Sequence, residues 1–315
     1  MSAASKETMK AAVIRDYGAP IEIGDVEPPE PRDDSVLIAV RAAGINPIDD
    51  ILRSGAMKEK MPLTFPHVMG YDVSGEVVDV GAEVGRFEVG DAVFARPNLD
   101  DAGAIAEFAR VKASELATKP ETLSHAEAAS VPLAGLTAWQ ALITRAGLKE
   151  GEKVLIHGGS GGVGTLAIQI AKHIGAHVAT TCSGRHAGLV RSLGADVVID
   201  YHTEAFDEQL AAYDVVFDML GGETLRRSFE VLRRGGTMVS IKGQDTDDLA
   251  AEYGVRFEWF LMEPDGEMLG ELGGWIDAGA VRPVIGRTFS MEDAAAAYEE
   301  LANGDSPGKI VVTVG

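Results

Sequence analysis

Apolar and polar positions alternate in two different ways along this chain, and the change falls near residue 150. Residues 10–14 and 36–42 read as β-strands, with Pro28, Pro29 and Pro31 forming a rigid connection between them. Residues 73–80, 92–95 and 105–111 read as further short strands, broken by Gly81, Gly85 and Gly90. Short strands with frequent glycine turns predict a curled, barrel-like β domain. A helical region opens at 125–130. A helix over 137–146 carries Trp139, Leu142 and Ile143 on one side and stops near Gly147.

Beyond Lys153 strands alternate with helices. Strands are expected at 154–157, 177–181, 197–200, 215–218, 237–241 and 256–260. Helices are expected at 165–174, 187–193, 205–210 and 223–232. This is the pattern of a doubly wound parallel sheet, and the fold class is α/β. Helices at 267–277 and 291–302 follow, and a last strand at 309–314 is placed back in the first domain. The expected domains are 1–127, 128–262 and a closing segment 263–315, with a cofactor cleft between the two.

The strand ending at His157 runs into Gly158-Gly159-Ser160-Gly161-Gly162-Val163-Gly164 and then a helix. Gly159, Gly161 and Gly164 have the G-x-G-x-x-G spacing of a dinucleotide site. One glycine makes the turn, one admits a pyrophosphate to the backbone, and one lets helix and strand pack closely. The chain has 37 glycines, so the spacing alone is weak; the strand before and the helix after give it weight. Ser160, Gly161, Gly162 and Val163 form the expected pyrophosphate cradle at a helix start.

The second strand, ending near Thr181, should meet the adenosine ribose. A carboxylate there binds the ribose 2′-hydroxyl of NAD. This chain has Thr181-Cys182-Ser183-Gly184-Arg185 instead. Ser183 can donate to a 2′-phosphate and Arg185 can pair with it, which favours NADP; a merely solvated Arg185 is the rival reading.

Composition narrows the classes. Of 315 residues 46% are hydrophobic and 24% charged, ordinary for a globular protein. The formal charge of -21, from 49 acidic and 28 basic side chains, argues against nucleic acid and anionic membrane as partners. A single cysteine, Cys182, leaves no internal disulfide and no thiolate cluster, and cytoplasm is the simplest location. On so acidic a chain an anionic cofactor needs local cations, which draws attention to Arg185, Lys242 and Lys309.

An ordered set of segments then resembles one family. It comprises Gly44-Ile45-Asn46-Pro47-Ile48-Asp49, Gly70-Tyr71-Asp72-Val73-Ser74-Gly75-Glu76-Val77, Gly90-Asp91-Ala92-Val93 and Pro132-Leu133-Ala134-Gly135-Leu136-Thr137-Ala138-Trp139. The glycine loop, Leu193-Gly194-Ala195-Asp196, Phe217-Asp218-Met219-Leu220-Gly221-Gly222 and Gly308-Lys309 complete it. Over nearly its whole length the chain resembles the zinc-independent quinone oxidoreductases (zeta-crystallin-like) of the medium-chain dehydrogenase/reductase superfamily. The resemblance implies a chaperonin-10-like (GroES-like) β-barrel domain around a Rossmann domain.

In the zinc alcohol dehydrogenases of that superfamily, a cysteine ligand stands where this chain has Asn46 and a histidine ligand where it has Tyr71. Asp72 corresponds to the acidic residue beside that histidine. The four-cysteine structural-zinc segment is missing. Amide and phenol are poor zinc ligands, and His67 alone makes no site, so no metal is expected. His125, His157 and His173 read as polar or packing residues.

The resemblance implies an NADPH-dependent reductase that passes hydride to a quinone or another α,β-unsaturated carbonyl. Asn46, Asp49 and Tyr71 are the implied catalytic residues. Asn46 would hydrogen-bond a ribose hydroxyl or an acceptor oxygen, with a turn role before Pro47 as its rival. Asp49 would fix Asn46 or a ribose, or serve a helix N-terminus. Tyr71 would donate a proton or hydrogen bond, or pack on the acceptor ring. Thr137 is placed at the nicotinamide face or as a helix cap, Tyr201 beside the adenosine phosphate or on the surface, and Lys309 near the cofactor. Asp218 and Leu220 are expected at the riboses, Ile241 and Lys242 at the nicotinamide amide, and Phe260 and Met262 along the same end.

Two rivals stand beside this reading. An enoyl-thioester reductase shares the fold and hydride chemistry. A non-enzymatic NADPH-binding sensor would bind without turnover. A homodimer is expected, paired through the 256–260 strand edge.

Overall fold

The structure, a computed structural model, describes residues 7–99, 103–243, 247–304 and 306–315. The chain divides into two compact units, each treated by itself. The first is Met1–Leu133, Pro264–Asp277 and Pro283–Gly315; the second is Ala134–Glu263 and Ala278–Arg282.

Strands β1 (Met9–Ile14), β2 (Glu22–Val26) and β3 (Ser35–Ile45) open the first unit and lead into helix α1 (Pro47–Arg53). Then come β4 (His67–Val68), β5 (Asp72–Val80), β6 (Ala92–Ala95), β7 (Phe108–Lys112), β8 (Leu116–Thr118) and helix α2 (His125–Ala129). Helix α3 (Pro132–Trp139) begins here and runs into the second unit.

The long strand β3 organises this unit. Val36, Ile38 and Val40 join Val73, Val77 and Ile105 in one core, while Leu37 packs with Met9, Ala11 and Val13 in another. Burial on both faces is why its sequence reads as a nearly continuous apolar run.

The second unit contains β9 (Lys153–Ile156), α4 (Gly162–Ile174), β10 (His177–Cys182), α5 (Ala187–Ser192), β11 (Val197–Asp200) and α6 (Phe206–Gln209). It continues with β12 (Tyr213–Asp218), α7 (Gly222–Val231), β13 (Leu232–Ser240), α8 (Asp247–Tyr253) and β14 (Arg256–Trp259). The sheet order is β11-β10-β9-β12-β13-β14, and every pairing is parallel. Counted within the unit this is the doubly wound order, with the reversal beside β9. The glycine loop follows β9 and so leaves the sheet at that switch point.

The chain then returns to the first unit with α9 (Gly266–Asp277), β15 (Ile285–Ser290), α10 (Ala294–Asn303) and β16 (Lys309–Thr313). Strand β16 lies antiparallel to β3, pairing Ile310 with Ile45. Strand β5 flanks β3 on its other side and pairs Asp72 with Gly44. Three strand ends thereby converge on Ile45 and Asn46.

Several elements differ from expectation. Strands β2, β4, β8 and β15 and helix α8 carry too few alternating apolar positions to be read from sequence. The strand expected at 105–111 is Phe108–Lys112, because Ala106 makes only an isolated bridge to Ala11. Strand β13 begins at Leu232, so the arginine-glycine run before Thr237 is strand, not loop. The helix expected at 137–146 begins at Pro132, and its second half, Gln140–Arg145, is π-helical. Thr137 is therefore mid-helix and buried, and it caps nothing.

Candidate active site

The glycine loop supplies backbone and little else. Helix α4 starts at Gly162, three residues earlier than periodicity suggests, after an extended Gly161 (φ -80°, ψ 176°). Its first turn leaves N–H groups without partners in the helix, the usual seat of an anion.

The three spaced glycines are required for different reasons. A Cβ on Gly159 would lie 2.0 Å from Thr180 Oγ1, and one on Gly164 would lie 2.3 Å from the Gly158 carbonyl oxygen. Both are demands of the protein's own packing. A Cβ on Gly161 would meet nothing nearer than the Gly158 oxygen at 3.4 Å. No internal contact requires glycine there, so the open face suits a group from outside, as the pyrophosphate of a dinucleotide does. Ser160, Gly161, Gly162 and Val163 line this half-buried face. The residues fit NADPH.

Buried polar side chains brace the loop from beneath. His157 Nδ1 lies 3.1 Å from Thr181 Oγ1 and its Nε2 lies 2.8 Å from Ser228 Oγ. Thr181 Oγ1 accepts from the Gly158 N–H and the Thr181 carbonyl from the Gly159 N–H. Thr181 thus holds the loop through both its hydroxyl and its carbonyl. Burial pulls the His157 pKa down to about 3, so the ring is neutral.

Asp218 is likewise committed. Its carboxylate accepts from the N–H groups of Leu220 and Gly221 and from Ser240 Oγ at 2.7 Å. It shapes the turn before α7; ribose contact is corrected to turn support. The N–H groups of Ile241 and Lys242 are spent on the Asp218 carbonyl and Ser240 Oγ, so any backbone contact to a nicotinamide amide falls to their carbonyls. Leu220 and Tyr201 are exposed, the latter lying beside His202. Phe260 is buried with the Arg145 guanidinium over its ring, and Met262 is half-buried.

Ser183 precedes a turn of 3-10 helix, Gly184–His186, on which Arg185 is exposed. One residue here escaped the sequence reading. Asp200, at the end of the neighbouring β11, would stand 2.3 Å from a Cβ on Gly184. Its Oδ1 accepts from the His202 N–H. A scan restricted to the end of β10 cannot find a carboxylate that arrives from β11.

The first unit holds a buried polar cluster of another kind. Lys309, at the start of β16, donates from Nζ to the Ile45 carbonyl at 2.9 Å, to Asp72 Oδ2 at 3.0 Å and to Asn46 Oδ1. All three ammonium protons are used. Lys309 is therefore an internal ion, and the expected cofactor contact is corrected. Asn46 Nδ2 donates to Asp72 Oδ2 at 2.9 Å, and Asp72 Oδ1 accepts from the Leu133 N–H.

Asp49 lies one turn into α1. Its Oδ2 accepts from the Asn46 N–H and from the Tyr298 hydroxyl, both at 3.0 Å, while its buried Oδ1 has no partner. Burial raises its pKa to about 7, against the lowering effects of the Asn46 hydrogen bond and of Lys309.

Tyr71 is buried, with its hydroxyl 2.6 Å from His67 Nε2. Burial lowers the His67 pKa to about 4 and raises that of Tyr71, so both are neutral. A His67 bond to the Thr64 backbone accounts for one ring nitrogen, leaving Nε2 to accept the Tyr71 proton. The proton expected to go to an acceptor is directed at His67 instead.

The donor set at the family's zinc position does not fit zinc. The Asn46 amide oxygen, its only ligating atom, is taken by Lys309, Tyr71 is taken by His67, and the cation beside Asp72 is an ammonium. A second cation at that place would be repelled. Among the described residues no group of three His, Cys, Asp or Glu could hold a metal ion, and no helix is long and apolar enough to cross a membrane.

Comparison with known proteins bears on both units. The alcohol dehydrogenase GroES-like domain family matches residues 32–121, and the zinc-binding dehydrogenase family matches residues 193–312. The chain is 36% identical to the NAD(P)H oxidoreductase RTN4IP1, mitochondrial, of Danio rerio, over 99% of this chain and 93% of that protein. It is 38% identical to an NADPH-dependent alkenal/one oxidoreductase, chloroplastic, of Arabidopsis thaliana, over 96% of this chain and 79% of the relative.

Among solved structures, the quinone oxidoreductase from Coxiella burnetii superposes with a TM-score of 0.91 at 36% identity, covering 98% of this chain and 100% of that one. A mycobacterial protein, Rv1454c, complexed with NADPH, superposes with a TM-score of 0.86 at 31% identity, covering 97% and 99%.

These relatives overturn one expectation. A lone cysteine excludes internal disulfides but does not assign a compartment, and relatives named mitochondrial and chloroplastic contradict the cytoplasmic inference.

Proposed function

The chain belongs to the zinc-independent, quinone oxidoreductase-like branch of the medium-chain dehydrogenase/reductase superfamily, and from that premise we propose that it is an NADPH-dependent reductase of quinones and other α,β-unsaturated carbonyls. One observation carries this reading: an anion cradle with no internal need for glycine at Gly161 occurs with an ammonium, Lys309, beside the acid of the vacated zinc position. When bound, NADPH supplies a hydride.

The chain's own residues do the rest. The first turn of α4 holds the pyrophosphate, and Ser183 and Arg185 flank the 2′-phosphate. Asn46, fixed by Asp72 and Lys309, has one amide proton left for a ribose hydroxyl or an acceptor oxygen. Rate then comes from holding donor and acceptor in contact and from fixed dipoles.

The test follows loss of reduced-nicotinamide absorbance with NADPH, then NADH, against a benzoquinone, a naphthoquinone, simple enones and an enoyl thioester. Faster turnover of quinones or enones with NADPH is expected. Preference for the thioester would replace the acceptor class, and tight binding without turnover would replace catalysis by sensing.

We propose in addition that two copies pair through β14. The strand lies at the end of the sheet order, and β13 is its partner there. Sedimentation equilibrium should give twice the chain mass; a monomer would end this part of the proposal.

A further inference from the structure

Arg96 follows β6 in the first unit and is only 6% exposed. Its Nη1 donates to the Pro97 carbonyl at 2.8 Å, and its guanidinium carbon stands 5.6 Å from the centre of the Tyr71 ring. Its buried Nε has no partner, and among the described residues no ion pair joins it. The other cations of this unit are differently placed. Lys309 spends its ammonium on three acceptors, Arg53 lies 2.7 Å from Asp50, Arg41 lies 3.1 Å from Glu76, and Arg86 holds two carbonyls.

The acids near Arg96 act on it only from a distance. Burial lowers the Arg96 pKa, and the opposing pull of Asp72, Asp49, Tyr71 and Glu115 does not offset it, each of them being engaged elsewhere. Asp72 is held by Lys309 and Asn46, and Tyr71 by His67. Glu115 accepts from the Asn98 N–H, while Asp49 holds its proton up to near neutral pH. A guanidinium taken out of water with one carbonyl and an aromatic ring but no ion pair is costly, and an arriving anion would offset that cost. A second orphan, Asp49 Oδ1, belongs to the same cluster around Tyr71.

We infer that Arg96 is the cation that receives the negative charge formed on the acceptor's carbonyl oxygen, an inference that rests on the reading of this chain as an enone and quinone reductase. The electrons balance as follows. Bound NADPH would give up one C–H bond pair as hydride and be left as NADP+; that pair would make the new C–H bond at the β-carbon, while the alkene π pair moves toward the carbonyl carbon and the carbonyl π pair moves onto oxygen. A solvent proton at the α-carbon then restores the carbonyl and completes the saturated ketone. In a quinone the ring carbon that takes the hydride then loses a proton as the ring becomes aromatic, so both oxygens end as hydroxyls with a net uptake of one solvent proton. Arg96 bonds to the oxygen while it is anionic. Its charge is permanent at any working pH, its donors lie in a fixed plane, and Tyr71 holds that plane in place. This gives the zinc-lacking site an electrophile of its own.

The test compares Arg96→Met and Arg96→Lys with the wild type. Arg96→Met should lose about a hundredfold in kcat, with NADPH affinity measured by nicotinamide fluorescence unchanged and Arg96→Lys intermediate. A kcat within about threefold of wild type would overturn the assignment.

A second readout needs neither turnover nor a variant. Para-nitrophenol added to the wild-type protein below its solution pKa should bind as the yellow phenolate. A dye that stays neutral, or does not bind, contradicts Arg96 as an oxyanion site even if Arg96→Met fails to fold. Absence of enone and quinone turnover in the wild type would sink the functional reading instead, whatever the dye shows.

Discussion

Around Gly161 the chain presents bare backbone, an open face and a helix start, and the side chains that matter lie behind the loop, bracing it. Around Asp72 the arrangement is reversed. Lys309, Asn46, Asp49 and Tyr298 fill one another's hydrogen bonds, and little is offered outward apart from two orphan atoms, Asp49 Oδ1 and Arg96 Nε. The first region is a receptor that borrows its chemistry from a cofactor. The second is a fixed internal field. The two should respond oppositely to mutation: the cradle through affinity at nearly constant stability, the buried cluster through stability and pH dependence.

The largest effect should follow removal of the central cation. Lys309→Met leaves the fully buried Asp72 carboxylate facing the Asn46 amide without its ammonium. Breaking such a pair costs about 3–5 kcal/mol. Denaturant unfolding of Lys309→Met and of the double variant with Asp72→Asn measures it; the double variant should recover part of the loss. Equal losses in both would mean that Lys309 stabilises by packing alone.

Asp49 gives the next contrast. Its folded pKa, raised by burial to about 7, exceeds the ordinary carboxyl value of 3.8. The folded state therefore binds the proton more tightly, and this contribution to stability is full below pH 3.8 and lost as pH rises through 7. Asp49→Asn cannot titrate, so its stability relative to wild type should climb across that window, by up to about 4 kcal/mol. Melting curves at several pH values decide; a constant difference would mean that Asp49 titrates normally.

His67 and His157 act in the opposite sense. Each is depressed by burial below the ordinary imidazole value of 6.5, so the stability they contribute is present above that pH and falls as pH drops toward 4 and 3.

The glycine loop contains the smallest and sharpest test. Gly164→Ala drives a methyl into the Gly158 carbonyl and should cost about 1–3 kcal/mol of stability as well as NADPH binding. Gly161→Ala should leave the melting temperature near wild type and weaken NADPH about tenfold, since only the ligand needs that space. If both variants lost stability equally, the Gly161 face would be a packing surface.

The two regions also differed in how well they could be read. The loop was legible because its chemistry is local: strand, spaced glycines and helix are contiguous, and the residues after β9 fall at the switch point of the sheet. The cluster is assembled from β3, α1, β5, α10 and β16, whose residues stand up to 264 positions apart, and spacing carries no trace of such meetings. Hence sequence points to Lys309 as a cation for the cofactor with no hint of its three buried acceptors, and to Tyr71 with no hint of His67. Arg96 was not marked at all. Its only sequence signal is a basic residue closing an apolar strand in a very acidic chain. Asp218 and Thr181 were placed correctly at strand ends, but sequence could not show that backbone N–H groups would claim them first.

An internal ammonium stands where relatives in the superfamily use zinc, and reduction should therefore run without a metal. The direct measurement is NADPH-dependent turnover of an enone or quinone by protein dialysed against a strong chelator, before and after adding zinc. Turnover that survives chelation and gains nothing from zinc is the predicted result. Activity lost on chelation and restored by zinc would contradict it.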